Sequence, residues 1–238
     1  MRQCAAVFRM SDKTSGTPKG RNSRSESTKK HIETTYLTLM LEKKWDRISV
    51  IELCKAAGIT RGTFYQYFDD IYDVIEKIEA ALMEDLTARF RTCTESYGPG
   101  FSISYFPDRF DLEPPGIFRE WFSFCREHST AMYPLLDRKK GDTRFIRRIR
   151  SVIQDNINIL MDHDGMPNDE LRAHFVSVLS EMHFLAAQGW LSGQDDGIRL
   201  DDSDIVSLLN TMRVGSVYLQ WRSMNGKNDP PQDLNLTD

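Results

Sequence analysis

The chain has 238 residues, 40% of them hydrophobic and 28% charged, with a formal net charge of −4. That length supports one or two domains with a sizeable core, and the composition is that of an ordinary soluble protein. No apolar run approaches the ~20 residues of a membrane helix, and four widely spaced cysteines (Cys4, Cys54, Cys93, Cys125) form no CxxC pair, which fits a reduced, cytoplasmic chain.

The charge is unevenly distributed. Residues 1–68 carry 13 Lys and Arg against 6 Asp and Glu, a balance of +7, and residues 69–238 carry the remaining 18 against 29, a balance of −11. A basic head on an acidic body suits a chain that meets a polyanion with its head alone. A basic tail without a partner gives the same numbers.

Residues 1–24 are polar and basic, with Lys13, Lys19, Arg21 and Arg24 among Gly, Ser and Pro. They read as a flexible arm, either a minor-groove or phosphate contact or a merely solvated tail. The short apolar patch at the start lacks a cleavage site, so no signal peptide is expected, and Met10 is a second candidate start. From Ser25 a helix is expected, with Ile32, Tyr36, Leu39 and Met40 on one stripe and Lys29 and Lys30 near its start. Ser27 and Lys30 make a Ser-x-x-Lys pair, but in this charged run capping suits the serine better than nucleophilic chemistry. Trp45 and Ile48 close this helix over a helical hairpin.

Residues 47–70 carry that hairpin, two short helices around a tight turn. Ser49 with Glu52 has capping-box spacing. Ile51 and Cys54 share an apolar face, Ala56 and Ala57 permit close contact, and Gly58 stands where a left-handed turn residue is wanted. Ile59 plugs the turn and Thr60 caps the second helix, where Phe64 and Phe68, four apart, point inward. Arg61, Thr63, Tyr65, Gln66 and Tyr67 are left facing outward or sideways. Solvated faces favour Lys and Glu; this set suits a duplex, since Arg61 and Gln66 can read base edges and Thr and Tyr hydroxyls can hold phosphates. An ordinary helical hairpin with incidental aromatics is the alternative.

The string from Ile48 to Ile75 resembles the DNA-binding segment of the tetracycline-repressor (TetR) family of transcription regulators. The matching features are Ile48-Ser49, Ala57-Gly58-Ile59, Gly62-Thr63-Phe64-Tyr65 and Tyr67-Phe68. The resemblance spans about residues 28–78. It implies that Lys29 and Lys30 approach the DNA backbone, that Arg61 and Gln66 read bases, and that Ser49, Thr60, Thr63, Tyr65 and Tyr67 hold phosphates with help from the Gly62 amide. The family usually has Lys where this chain has Ile71, flanked by Asp69, Asp70 and Asp73. One phosphate contact is therefore expected to be missing.

Asp69 and Asp70 begin a long helix to about Thr94, buried through Ile71, Val74, Ile75, Ile78, Leu82 and Leu86. Tyr97 to Gly116 is a Pro-rich break whose Phe101, Tyr105, Phe106 and Phe110 read as a connector or a lid. A helix over 117–128 carries Phe118, Trp121, Phe122 and Cys125 and is broken at Ala131–Pro134. Asp142 caps a further helix, its start crowded by Arg144, Arg147, Arg148 and Arg150, which read as a solvated face rather than a second anion site. After a turn at Gly165-Met166-Pro167, a helix over 171–191 is apolar round much of its circumference and suits burial by its own bundle and by a second subunit. An acidic loop over 193–204, without calcium-loop spacing, leads to a last helix over 205–221 and an Asn-, Asp- and Pro-rich tail.

Phosphate-loop, dinucleotide, nucleophile-elbow and zinc-protease motifs are absent, and the five histidines are scattered. No enzyme activity, cofactor or metal is expected. The predicted fold is all-α: a flexible arm (1–24), a three-helix DNA-binding head with a helix-turn-helix (25–70), a helical-bundle ligand-binding and dimerisation domain (71–225) and a disordered tail (226–238). The resemblance implies a homodimer through the last two long helices, binding a palindromic operator in double-stranded DNA, in the cytoplasm and away from membrane, under control of a small-molecule effector. Trp121, Phe122, Met132, Tyr133, Phe145 and Met182 are candidate effector-pocket residues or plain core. An adapter signalled through the body by another protein is an alternative, and an enzyme carrying a look-alike hairpin is another.

Overall fold

The computed structural model describes residues 19–98, 100, 113–192 and 201–226. Residues 1–18, the aromatics Phe101, Tyr105, Phe106 and Phe110, most of the acidic loop (193–200) and the tail from 227 lie outside the described residues. Among those described there are nine α-helices, one 3₁₀ turn and no strand, and no helix is long and apolar enough to cross a membrane.

The head contains α1 (Lys19–Met40), a 3₁₀ turn (Trp45–Arg47), α2 (Val50–Ala57) and α3 (Arg61–Phe64). Helix α1 begins at Lys19, inside the stretch expected to be a flexible arm. Ile32, Tyr36, Leu37 and Met40 of α1, Leu53 and Cys54 of α2, and Phe64 and Phe68 form the head's core. The rings of Phe64 and Phe68 lie 5.8 Å apart, and truncating either to alanine would cost about 3–5 kcal/mol. Ile51 departs from its expected place on the buried face and is 65% exposed. Packing on α1 selects the Leu53, Cys54 and Ala57 side of a helix too short for periodicity to orient.

The body contains α4 (Ile71–Glu95), α5 (Gly116–Glu127), α6 (Ser129–Leu135), α7 (Thr143–His163), α8 (Glu170–Ser192) and α9 (Asp202–Met224). Side-chain caps start α4 and α7: Asp70 accepts from the Asp73 amide at 2.8 Å, and Asp142 from the Arg144 amide at 2.8 Å. The break expected at Ala131–Pro134 is displaced to His128, where the backbone leaves helical geometry; Pro134 sits in the last turn of α6. Helix α4 packs on α5 and α7, α7 on α8, and α8 on α9.

Head and body share one continuous hydrophobic core. Helix α6 packs on α1, and the loop after it reaches the head: the Trp45 amide donates to the Lys140 carbonyl at 3.0 Å, and the Lys140 ammonium donates to the Leu41 carbonyl. Farther along, Arg89 of α4 binds Asp85 at 3.0 Å and Glu127 at 2.6 Å, while His128 meets Asp85 at 2.7 Å. The helix leaving the head is therefore tied to the end of α5 through Asp85 and Arg89.

Candidate nucleic-acid interface

The turn between α2 and α3 is set by local chemistry. The Ser49 hydroxyl accepts from the Glu52 amide at 3.2 Å, capping α2. The reciprocal half of a capping box is replaced: the Glu52 carboxylate binds Lys43 at 2.5 Å. Gly58 ends α2 with φ 64° and ψ 29°, and the Ile59 amide donates back to the Cys54 carbonyl at 3.0 Å, the signature of a Schellman stop. The His31 imidazole donates to the Ala57 carbonyl at 3.0 Å and ties that stop to α1.

Thr60 then caps α3, accepting from the Thr63 amide at 3.1 Å, with the two hydroxyls 2.9 Å apart. Regular α-helix covers only Arg61–Phe64; Tyr65 to Tyr67 continue as tighter turns, with the Tyr67 and Phe68 amides both donating to the Phe64 carbonyl. The second helix of the hairpin thus ends before Phe68, which the sequence placed on it. Burial of Phe64 and Phe68 turns the other side outward, and Arg61, Gly62, Tyr65 and Gln66 are exposed, Thr63 and Tyr67 half-buried. The Arg61 guanidinium lies 5.9 Å from the Tyr65 ring centroid and donates to its hydroxyl at 3.4 Å. The Tyr65 ring stands edge-on to Phe64 at 5.3 Å. Arg61, Tyr65 and Gln66 thus form one surface supported from beneath by core aromatics.

One feature escapes sequence reasoning. Lys77 of α4 donates to the Tyr67 carbonyl at 3.1 Å and to Asp73 at 2.8 Å, joining the end of the reading segment to the helix that enters the body. Nothing in the sequence signals this, because it depends on how α3 meets α4. Ile71 is buried in the core, as its place on the apolar side of α4 leads one to expect, so the position where the family usually has Lys serves packing here.

Lys29 and Lys30 are placed differently from the reading surface. They line a cleft of about 520 Å³ between α1, α4 and the start of α6, together with Glu33, Lys77 and His128. Lys29 pairs loosely with Glu33 at 3.8 Å.

The cavities lined by described residues do not bring the six candidate effector residues together. Trp121, Phe122, Met132 and Phe145 are fully buried core, and Met182 is partly buried. Tyr133 is exposed and borders an open pocket of about 370 Å³ with Leu136, Leu185 and Gln188. Trp121 lines a separate void of about 10 Å³ in the body. Among the described residues no group of His, Cys, Asp or Glu side chains could hold a metal ion.

Helices α8 and α9 each carry an exposed apolar stripe. Leu171, Val178 and Leu185 recur every seven residues on α8, with Phe175 and Met182 between them; Leu208, Met212 and Leu219 form the stripe on α9. The six residues that are exposed are so by 42–65%, far more than a lone helical body needs to show water.

Comparison with solved structures reports the same architecture. A TetR-family transcriptional regulator from Streptomyces coelicolor matches with a TM-score of 0.54 at 19% identity, over 87% of this chain and 91% of that one. A TetR transcriptional regulator from Streptococcus agalactiae matches with 0.52 at 15%, over 82% and 98%. The fatty acid degradation regulator FadR from Bacillus halodurans matches with 0.55 at 14%, over 79% and 95%. No family model and no curated protein matches the sequence.

Proposed function

From the TetR-family fold of this chain, we propose that it is a homodimeric, sequence-specific DNA-binding regulator of transcription. The observation that carries this reading is the exposed Arg61–Tyr65–Gln66 surface on a short helix anchored by buried Phe64 and Phe68. Arg61 and Gln66 contact base edges; Ser49, Thr60, Thr63, Tyr65 and Tyr67, with the Gly62 amide, hold phosphates.

A second copy covers the stripes on α8 and α9. Their spacing suits a four-helix interface, and six large exposed apolar residues on two adjacent helices favour a permanent partner over a transient one. Paired heads then enter successive major grooves ~34–36 Å apart, which calls for a palindromic operator.

Control by a small molecule completes the proposal. An effector in the body releases the operator, making the protein a repressor, provided that it binds one dimer shape better than the other. One observation favours a second reading, an adapter signalled by another protein: four of the six candidate pocket residues are solid core.

Selection of bound duplexes from random DNA tests the central claim. A short palindrome with half-sites one helical turn apart is expected. Failure to retain any duplex at low ionic strength overturns it.

A further inference from the structure

The loop between α6 and α7 and the first turns of α7 gather positive charge on an acidic body. Residues 138–148 hold six Lys and Arg (Arg138, Lys139, Lys140, Arg144, Arg147, Arg148) against one acid, Asp142, although the balance over residues 69–238 is −11. Phe145, Ile146 and Ile149 are buried. Their burial turns Arg144, Arg147 and Arg148 to solvent together, three and four residues apart on one helix face. The single acid does not answer them. Asp142 is buried at the cap, where it accepts from the Arg144 amide at 2.8 Å and pairs with the Arg144 guanidinium at 3.3 Å. Among the described residues, Arg147 and Arg148 enter no ion pair.

Folding does not call for this arrangement. Like charges three and four apart on a helix repel, and cations in the first turns oppose the positive end of the helix dipole. Acids are favoured there, yet the first turn of α7 has none. A local rule broken with no gain in packing marks a functional surface. The head lies directly beside it. The Trp45 amide donates to the Lys140 carbonyl at 3.0 Å, and the Lys140 ammonium donates to the Leu41 carbonyl, so the loop is fixed against the turn that leads into α2. The Trp45 ring stands edge-on to Tyr72 in the first turn of α4 at 5.6 Å. Arg47 closes the same 3₁₀ turn, has a side chain 81% exposed and lies two residues before the α2 cap, Ser49. The cations of the body thus adjoin the helix-turn-helix on the side where α2 begins.

We propose that the Arg144–Arg147–Arg148 face is a second DNA contact, which holds phosphates of the bound duplex outside the bases that α3 reads. The inference rests on the DNA-binding reading above and extends the interface from the head to the body. A duplex backbone suits this surface because the cations are spread over an exposed helix face, where a row of phosphates can meet them one by one. The rest of the body repels a polyanion, so this face is where a duplex can approach it. The contact carries no sequence information, since phosphates are alike along the strand. It adds affinity and salt dependence, and it favours the head position that brings head and body onto one duplex together.

Fluorescence anisotropy of a selected duplex, titrated with full-length protein at several salt concentrations, tests the contact. Arg147→Gln with Arg148→Gln is expected to flatten the slope of log affinity against log salt by about two, one for each lost phosphate, with the selected sequence unchanged. Arg147→Lys with Arg148→Lys is expected to keep the parent slope, because neutralising a phosphate needs charge rather than a guanidinium fork. Arg91→Gln, at a side chain 71% exposed near the far end of α4, is expected to leave the slope alone. Ethylation of single phosphates in the duplex gives a readout in the unmodified protein, independent of how the variants fold: binding should weaken at phosphates beyond the bases that selection fixes. An unchanged slope in the double glutamine variant overturns the contact, as does an equal change in Arg91→Gln, which would report overall charge. Interference confined to the bases read by α3 overturns it as well. In each of those cases the duplex is still bound and the DNA-binding reading stands; an unmodified protein that binds no duplex removes that reading itself.

Discussion

The Lys77 ammonium donates to the Tyr67 carbonyl at 3.1 Å, so the last turn of the reading segment hangs on the helix that runs into the body. The same ammonium lies 5.1 Å from the Phe68 ring centroid. Lys77→Met should leave the melting temperature almost unchanged, because exposed ion pairs contribute about 0–1 kcal/mol. Affinity for a selected duplex should fall about three- to tenfold as the segment loosens. Fluorescence anisotropy measures it; unchanged affinity would leave Lys77 with no positioning role.

Arg61 rests against Tyr65, which aims its guanidinium away from the core. Arg61→Ala should cost about 1–3 kcal/mol of binding and relax one operator position. Arg61→Lys should keep the salt dependence but lose the same discrimination, since an ammonium cannot grip a guanine edge in two places. Titration against single-base variants of the selected site separates the two. Full discrimination in Arg61→Ala removes it from the readers.

A Cβ added at Gly62 would meet nothing closer than the Thr60 hydroxyl at 3.7 Å, an ordinary contact. Gly62→Ala should therefore fold as well as the parent, or gain up to about 1 kcal/mol from helix propensity. If the Gly62 amide approaches a phosphate, the same methyl group should weaken duplex binding sharply. Retained binding in this variant shows that the backbone does not come close there.

Val178 sits in the middle of the α8 stripe and is 59% exposed. Val178→Asp should leave the protomer folded and abolish the dimer, as read by sedimentation. Operator affinity should then drop by about 10²–10⁴-fold, because the second head no longer binds as part of the same molecule. A variant that stays dimeric moves the interface elsewhere.

Glu79 is buried on α4 with one carboxylate oxygen lacking a hydrogen-bond partner. Burial, and then the Asp142 carboxylate, push its pKa up to about 7, against the opposing pull of Arg148 and Arg144. The folded state holds a proton that the unfolded chain releases, so this contribution to stability is complete below about pH 4.5 and is lost as pH rises to about 7. Glu79→Gln should flatten that fall and stabilise the protein above pH 7 by up to about 3 kcal/mol. Thermal melts from pH 5 to 8 measure it; parallel curves for both proteins would contradict the assignment.

Much of the head is legible in the sequence because its signals are local. Ser49, Gly58 and Thr60 in the head, like the caps Asp70 and Asp142 of the body helices, do what their chemistry requires within a few residues of themselves. Phe64 and Phe68, four apart, turn inward together, which leaves Arg61, Tyr65 and Gln66 outside. Ile51 defies the expectation because an eight-residue helix offers too few turns to define its buried side, and its neighbour α1 makes the choice.

Sequence alone determined that the chain is helical, where the head's turn lies, and which side chains α3 shows to solvent, because helix caps, glycine conformation and the 3.6-residue period act over a few residues. Only the tertiary structure decided that Lys77 reaches Tyr67, that Lys29 and Lys30 line a cleft beside the body, that Trp121 and Phe122 fill a core, and that His183 keeps an acceptor with no donor. Those relations join groups from separate helices, and no spacing along the chain encodes which faces meet once the core closes.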